Sequence, residues 1–358
     1  MSPSALRIPS AKDIDPDWLT ACLRQRGYDV QVGSFQAARV GTGQIGMCVR
    51  YALHYTSGEG PISLVGKFPS DDPGSRHTGV VLQNFLKEVR FYQTLQPHLS
   101  IRTPRCYFSE IQDQGPTFFL LLEDLAPSLQ GDQLSGCTGQ VAERALSELV
   151  GLHAPSWSDE RLKTLDWLHG AKAEAGLAQD LYQAQMPGFI ARFGQQLDAD
   201  EIALIREYGA AQDARRDLGL PEFFSIIHGD YRLDNLLIGG PSETPSVTAV
   251  DWQTVALGNP LTDVAYFVGA GLTPEVRRPI ELNLVQGYHQ GLVEAGVRGF
   301  SWDACWRSYR LGAFAGITVA VIAAMLVQRT ERGDRMFLTM AKRHARHALD
   351  LRATELLP

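Results

Sequence analysis

The chain is poor in several features that would place it at a glance. Its 358 residues include five cysteines, Cys22, Cys48, Cys106, Cys137 and Cys305, and none of them forms a C-x-x-C pair. An odd, widely spaced set argues against a disulfide framework or a zinc site and fits a reducing compartment. Positive charge is also short: 33 Lys and Arg stand against 40 Asp and Glu, a formal charge of −7. That balance leaves no basic excess for a general nucleic-acid-binding surface, so no nucleic-acid partner is expected. The stretch MSPSALRIPSAKDIDPDW has no apolar core of a secretory signal, and a cytoplasmic protein is expected. Long apolar runs are scarce too. The exception is 311–327, LGAFAGITVAVIAAMLV, at the lower edge of a bilayer span. Set between polar helical segments, it reads as one fully buried helix, without membrane insertion. No internal repeat or low-complexity tract appears.

What is present fits a protein with a sizeable core, 44% hydrophobic and 20% charged. The length exceeds one ordinary core and predicts two domains or lobes. The first third reads as β-rich: 34–56 and 61–69 are strand-like runs separated by the turn signal SGEG. Residues 80–96 then place Leu82, Phe85, Leu86, Val89 and Tyr92 at helical spacing, which predicts one amphipathic helix. Strands follow around 105–114 and 116–125. Beyond residue 128 the pattern is mostly helical, interrupted near 226–252 by short strands. The organisation predicted is a small β-rich lobe over 1–124 and a larger helical lobe over 125–358.

Chemistry concentrates in IIHGDYRLDN, residues 226–235, which follows an apolar strand. Loops in that position often carry function, because the scaffold holds them still while they stay accessible. Asp230 and Asn235 have the Asp-x-x-x-x-Asn spacing of a kinase catalytic loop, and Asp251 follows the apolar run 247–250. Phosphoryl transfer needs one carboxylate beside the acceptor hydroxyl, and an amide oxygen and a second carboxylate to hold magnesium on the nucleotide phosphates. The bland alternative is a polar turn in which Asp230 caps a helix. Upstream, GTGQIG offers Gly41, Gly43 and Gly46 for close approach of backbone to phosphate. The same pattern fits a dinucleotide-binding turn, but that turn would open a helix and place an acid about twenty residues on. Here a strand follows, and 61–70 holds no acid but does hold Lys67. That is the position of a lysine holding the α- and β-phosphates; otherwise it is a solvated strand-end lysine. Glu88, on a polar position of the predicted helix, is the candidate to set that lysine, with a surface charge as its alternative. The backbone of Glu123 and Leu125, after a buried strand, is the candidate for pairing with a base.

The order of glycine loop, Lys67, Glu88, LEDL, LHA, HGDYRLDN, VDWQ and DVAYF resembles the aminoglycoside phosphotransferase and choline kinase-like superfamily. Within it, HGDYRLDN and VDWQTVALGNPLTDVAYF look closest to the branch associated with acyl-CoA dehydrogenases, near the ecdysteroid kinase-like proteins. The resemblance runs from about Gly41 to Phe267. It implies an α+β, bilobal, protein-kinase-like fold and an ATP- and Mg2+-dependent O-phosphotransferase acting on a hydroxyl-bearing small molecule. Residue by residue, it implies Asp230 as the catalytic carboxylate and Asn235 and Asp251 as magnesium ligands. Lys67, set by Glu88, would hold the phosphates. His228 would brace the loop, Asp263 would pin it, and His153 would be a packing element. Arg232 would steady the transferring phosphate or pair with Asp234 or another neighbour. Trp252-Gln253 stands where protein kinases have Phe-Gly, and no activation segment follows, which lowers the protein-kinase reading. An aminoglycoside kinase, an atypical protein kinase and a nucleotide-binding scaffold remain alternatives. If any of Tyr266, Phe267, Tyr288, Trp302, Trp306, Tyr309 and Phe314 line the acceptor pocket, they favour a partly apolar acceptor.

Overall fold

The computed structural model describes residues 7–41, 46–169, 176–211, 214, 220–241 and 243–358. The chain divides into two compact units, one of residues 1–98, 103–127 and 251–254, the other of residues 99–102, 128–250 and 255–358.

The first unit is built on an antiparallel sheet of five strands: β1 (Gln31–Val40), β2 (Gly46–Ser57), β3 (Ser63–Pro69), β4 (Cys106–Ile111) and β5 (Phe118–Glu123). They lie in the order β1-β2-β3-β5-β4. Along β3, Leu64, Gly66 and Phe68 are buried while their neighbours are partly exposed, the period-2 signature of a pleated strand. Lys67 therefore projects from the face opposite Leu64 and Phe68. On that core side, α1 (Pro16–Gln25) contributes Leu19, Cys22 and Leu23, which pack with Val30, Tyr51 and Phe119. Asp15 caps this helix by accepting from the Trp18 amide at 2.7 Å.

The single helix expected over 80–96 is interrupted. α2 (Pro73–Val81) ends, Gln83 takes a left-handed φ of 56°, and α3 (Asn84–Arg90) begins afresh. It continues into a wider turn over Phe91–Leu95. Leu82, expected on the apolar face, is instead exposed, whereas Phe85, Leu86, Val89 and Tyr92 are buried. The break lets the Phe85 ring lie directly on Gly79, where an added Cβ would meet it at 2.3 Å, and stack on Phe118 at 4.8 Å. Tertiary packing of one aromatic ring outweighs the helical period here.

The second unit holds two small antiparallel sheets. One is β6 (Leu129–Gln130), β8 (Leu236–Gly239) and β9 (Ser246–Ala249); the other pairs β7 (Ser225–Ile227) with β10 (Ala256–Gly258). Its helices include α4 (Gly139–His153), the short α5 (Asp166–His169), α6 (Leu177–Phe193), α7 (Ala199–Ala210) and α8 (Pro260–Gly271). They continue with α9 (Pro274–Glu294), α10 (Trp302–Gly312), α11 (Ala315–Leu326) and α12 (Glu331–Asp350). All but one residue of α8 is buried, so its sequence is apolar on every side except at Asp263 and Thr262.

The apolar run 311–327 is not one fully buried helix. It ends α10, turns at Ala313–Phe314 and forms α11. Ile317, Ala320, Val321 and Ala324 enter the core with residues of α6 and α12, while Leu326 and Val327 are exposed. The turn follows Gly312, where an added Cβ would meet the Leu261 carbonyl at 2.6 Å, so α10 approaches α8 too closely to carry a side chain there. Trp302–Leu326 is long and apolar enough to cross a membrane by length and composition, with half of its apolar window buried.

Candidate active site

In the first unit, Lys67 is held between two carboxylates. Its Nζ lies 2.7 Å from Glu88 and 2.8 Å from Asp251 Oδ1. Glu88 is buried on α3, so it is no surface charge, and the Lys67 side chain is only 12% exposed. Burial opposes the ammonium, but Asp251 and then Glu88 outweigh it, and Lys67 stays firmly cationic. Burial also raises Glu88 to about 6 against the pull of Lys67. Asp251 reaches this position from a left-handed backbone, φ 67°, a costly conformation for a residue other than glycine. The next side chain, Trp252, is fully buried and stacks on Phe91 with centroids 3.8 Å apart, and this anchor over-determines the strained turn. Gln253 Nε2 donates to Asp251 Oδ2 at 3.1 Å.

Gly46, opposite Pro69 in the ladder, lies diagonally beside Lys67: an added Cβ would meet Lys67 Cε at 3.0 Å. Gly41 has φ 75° with open space where a Cβ would sit, and Gly43 lies outside the described residues. At the other end of the sheet, the Glu123 amide donates to the Arg105 carbonyl at 2.8 Å, so of its two backbone groups the N–H is committed to the sheet. Leu125 follows Asp124, whose carboxylate accepts from Arg50 Nε at 2.6 Å, Ser63 Oγ at 2.6 Å and the Ala126 amide at 3.2 Å. Sequence reasoning missed this Arg50–Asp124 clamp, although the acid beside Glu123 in LEDL was its signal.

In the second unit, the loop after β7 is gripped from α8. Asp263 accepts from the amides of His228 at 2.6 Å and Gly229 at 3.0 Å, and Gly229 makes the turn at φ 78°. His228 Nε2 pairs with the Val250 carbonyl at 3.0 Å, so this histidine braces backbone. His153 is fully buried beside Asp263 and Tyr288.

Asp230 has both oxygens engaged. Oδ1 accepts from the Tyr266 hydroxyl at 2.7 Å and Arg232 Nε at 3.1 Å; Oδ2 accepts from Asn235 Nδ2 at 2.8 Å and again from Arg232 Nε at 3.2 Å. Arg232 also donates through Nη1 to Asp234 at 2.8 Å, so its guanidinium is committed to the two aspartates. The Asn235 amide donates to the Asp230 carboxylate and to its carbonyl at 2.9 Å, while its Oδ1 accepts no hydrogen bond among the described residues. Gln133 ties the loop to the rest of the unit: its amide donates to Asp234 Oδ1 and its Oε1 accepts from Leu233 N, each at 3.0 Å. Neither Gln133 nor the Tyr266 hydroxyl was legible in the sequence, because each acts across a long stretch of chain.

A cleft of about 600 Å³ adjoins this loop, lined by Gln130, Gly131, Asp132, Leu134, Glu331, Arg332 and Arg335. Gln130 donates to the Asp234 carbonyl at 2.5 Å, and Arg332 reaches both Asp234 and Asp132 at 3.3–3.4 Å. None of the seven aromatics singled out above lines it. Tyr266, Phe267, Tyr288, Tyr309 and Phe314 are buried in the core, and Trp302 and Trp306 are half-buried and stacked on each other.

The requirements of Mg·ATP can be set against these residues. Among the described residues no three His, Cys, Asp or Glu side chains converge as a self-sufficient metal site. Magnesium is usually held by one or two carboxylates with water and substrate phosphates. An unpaired Asn235 Oδ1 and an Asp251 carboxylate in a cluster with two acids for one ammonium are donors of that kind.

The α+β architecture, with a five-stranded antiparallel sheet in one unit and a helical second unit, is that of the protein-kinase-like small-molecule phosphotransferases. Residues 50–302 match the phosphotransferase enzyme family (APH), and the chain belongs to that family. The Caenorhabditis elegans protein named uncharacterized oxidoreductase dhs-27 is 21% identical over 332 residues, taking in 82% of this chain and 40% of its own length. Human acyl-CoA dehydrogenase family member 11 is 42% identical over 43 residues, 12% of this chain and 5% of that protein. The chain therefore spans well under half the length of these relatives. Two solved structures share the fold. The GDP and kanamycin complex of APH(2″)-IIIa has a TM-score of 0.55 at 12% identity, covering 93% of this chain and 99% of that one. Choline kinase from Cryptosporidium parvum has a TM-score of 0.53 at 10% identity, covering 96% and 92%.

Proposed function

We propose that this phosphotransferase moves the γ-phosphoryl group of ATP to a hydroxyl of a small molecule with the help of magnesium. The observation that carries the reading is the Lys67 ammonium buried between Glu88 and Asp251. Folding alone gains little from burying an ammonium between two carboxylates, so the cluster points to a charged ligand. Mg·ATP would supply the phosphoryl group together with the metal that neutralises its charge. Lys67, oriented by Glu88, presents its ammonium to phosphate oxygens. Asp251 and the Asn235 Oδ1 are the metal donors. Asp230 orients the acceptor hydroxyl and receives its proton, and Arg232 keeps that carboxylate in place. Positioning and electrostatics then supply most of the rate.

The cleft beside the loop is the proposed acceptor site, and its volume suits a small ligand. Kanamycin, bound by the structural neighbour, is a polycation and calls for several unneutralised carboxylates. Here two acids, Asp132 and Glu331, face two cations, Arg332 and Arg335, and Asp132 is already engaged by Ser135 and Arg332. The lining therefore favours a polar, hydroxylated acceptor that is not a polycation, and it gives the partly apolar acceptor no aromatic support. The test is incubation with Mg·ATP or Mg·GTP and a panel of hydroxylated compounds, read by mass spectrometry for a gain of one phosphate, with Asp230→Asn in parallel. A product absent from the variant supports the reading. Failure of the wild type to bind either nucleotide would sink it, and phosphorylation of aminoglycosides alone would replace the acceptor class.

A further inference from the structure

The reading above leaves unused one buried polar group that touches its central carboxylate. Tyr266 lies on α8 three residues beyond Asp263, so the two side chains share a helix face. Asp263 grips the backbone of His228 and Gly229, and Tyr266 reaches the carboxylate of Asp230, its hydroxyl 2.7 Å from Oδ1. One helix face thus fixes the loop twice, once by its main chain and once by its reactive side chain.

The tyrosine is itself held from behind. Its ring is parallel to the imidazole of His344 on α12, with centroids 5.3 Å apart and planes 4° apart. His344 is fully buried, and among the described residues neither ring nitrogen has a hydrogen-bond partner. Room for it exists only because its neighbours lack side chains. A Cβ on Gly316 would meet the imidazole at 2.0 Å and one on Gly269 at 2.6 Å. Burial drives His344 well below the usual histidine range, so it is a neutral slab, and burial followed by the Asp230 charge keeps the Tyr266 phenol protonated. A protonated phenol beside a carboxylate can only donate. Together with Arg232 and Asn235, it fixes the plane of the Asp230 carboxyl group from a third direction.

We infer that Tyr266 is a positioning residue for phosphoryl transfer, donating to Asp230 Oδ1 so that the carboxylate presents one fixed face to the acceptor hydroxyl. This rests on the proposed role of Asp230. Because the hydroxyl is spent on Asp230 and acts through it, its loss lowers kcat and leaves KM alone. It also follows that removing it does nothing further once Asp230 is gone.

The experiment compares wild type, Tyr266→Phe, Asp230→Ala and the double variant, in transfer rate and in thermal midpoint. Phenylalanine keeps the ring on His344, so the variant tests the hydroxyl alone. The expected result is a kcat about tenfold to a hundredfold lower in Tyr266→Phe, the range of one hydrogen bond to a charged group, with KM for nucleotide and acceptor unchanged. In the Asp230→Ala background the same change alters neither rate nor midpoint. A wild-type kcat in Tyr266→Phe, a raised KM with kcat intact, or equal losses in both backgrounds would overturn the inference. If Asp230→Ala retains the wild-type rate, the proposed role of Asp230 itself falls. The midpoint cycle needs no acceptor: a drop on Tyr266→Phe that is equal in both backgrounds refutes the contact without any turnover.

Discussion

In one unit a single ammonium, Lys67, lies between Glu88 and Asp251; in the other a single guanidinium, Arg232, lies between Asp230 and Asp234. Both clusters are largely shielded from solvent and both set one bridging cation between two acids, although Arg332 adds a second cation on Asp234. They differ in how the acids are satisfied. The loop aspartates collect donors from Tyr266, Asn235, Gln133 and Arg332 besides Arg232, whereas Glu88 and Asp251 share the Lys67 ammonium, with Gln253 also donating to Asp251. A guanidinium is a planar fork that can bridge two carboxylates in fixed geometry; an ammonium is a compact charge on a flexible stem. The comparison teaches that one site is built to hold its shape and the other to exchange partners. A rigid carboxylate suits the orientation of a hydroxyl, and a lysine able to turn from acid to phosphate suits nucleotide binding.

The largest effect expected removes one acid from each cluster. Asp230→Ala and Asp251→Ala should each lower transfer by about 10²–10⁴-fold, in the range found for groups acting at the reacting atoms, while circular dichroism stays native. An unfolded Asp230→Ala would show that the loop cluster is structural first. Next comes exchange of the cations. Arg232→Lys should lower kcat by roughly tenfold or more, because an ammonium cannot keep both fork contacts. A full-rate Arg232→Lys enzyme would break the distinction between fork and point charge. Gly46→Ala should act more mildly, raising the nucleotide KM several-fold by pushing the Lys67 stem, with little change in kcat. Equal loss in kcat would mean that the lysine takes part in holding Asp251 during transfer.

The smallest effect concerns pH. Burial raises Glu88 from an ordinary value of 4.5 to about 6. The folded state therefore holds this proton more tightly than the unfolded chain does. The stabilisation is fully present below about 4.5 and is lost as pH rises through 6. Glu88→Gln should remove that slope, so that between pH 4.5 and 7 its thermal midpoint falls less than that of wild type, by about 2–4 °C. Parallel curves for the two proteins would show that Glu88 is ionised throughout. At pH 7 the same variant should bind nucleotide more weakly, since Lys67 would then be held by Asp251 alone.

Much of this architecture could be read along the chain. Strand patterns at 106–111 and 118–123 lie where alternation and apolar runs placed them, and the order from Gly41 to DVAYF carried the family. Two local readings failed for one reason. The periodicity over 80–96 predicted an unbroken helix, but the contact of Phe85 with Gly79 breaks it; the apolar run at 311–327 predicted a single buried helix, but the approach of Gly312 to Leu261 divides it. Glu88 occupies a polar position by periodicity yet is buried, because the cation that accepts its charge comes from a strand. In each case packing between elements overrides a local preference.

What the sequence determined by itself is therefore the inventory and its order: a strand-borne lysine, a helix glutamate, Asp230 and Asn235 in one loop, and an aspartate after a strand. Short-range chemistry and spacing suffice for that, since they depend on neighbours a few residues apart. Only the tertiary structure decided which groups meet. Lys67 finds Asp251 across 184 positions, Gln133 finds Asp234 across 101, and Tyr266 finds Asp230 across 36. Contacts of that length are set by how sheets and helices pack around a core, and no periodicity along the chain records them.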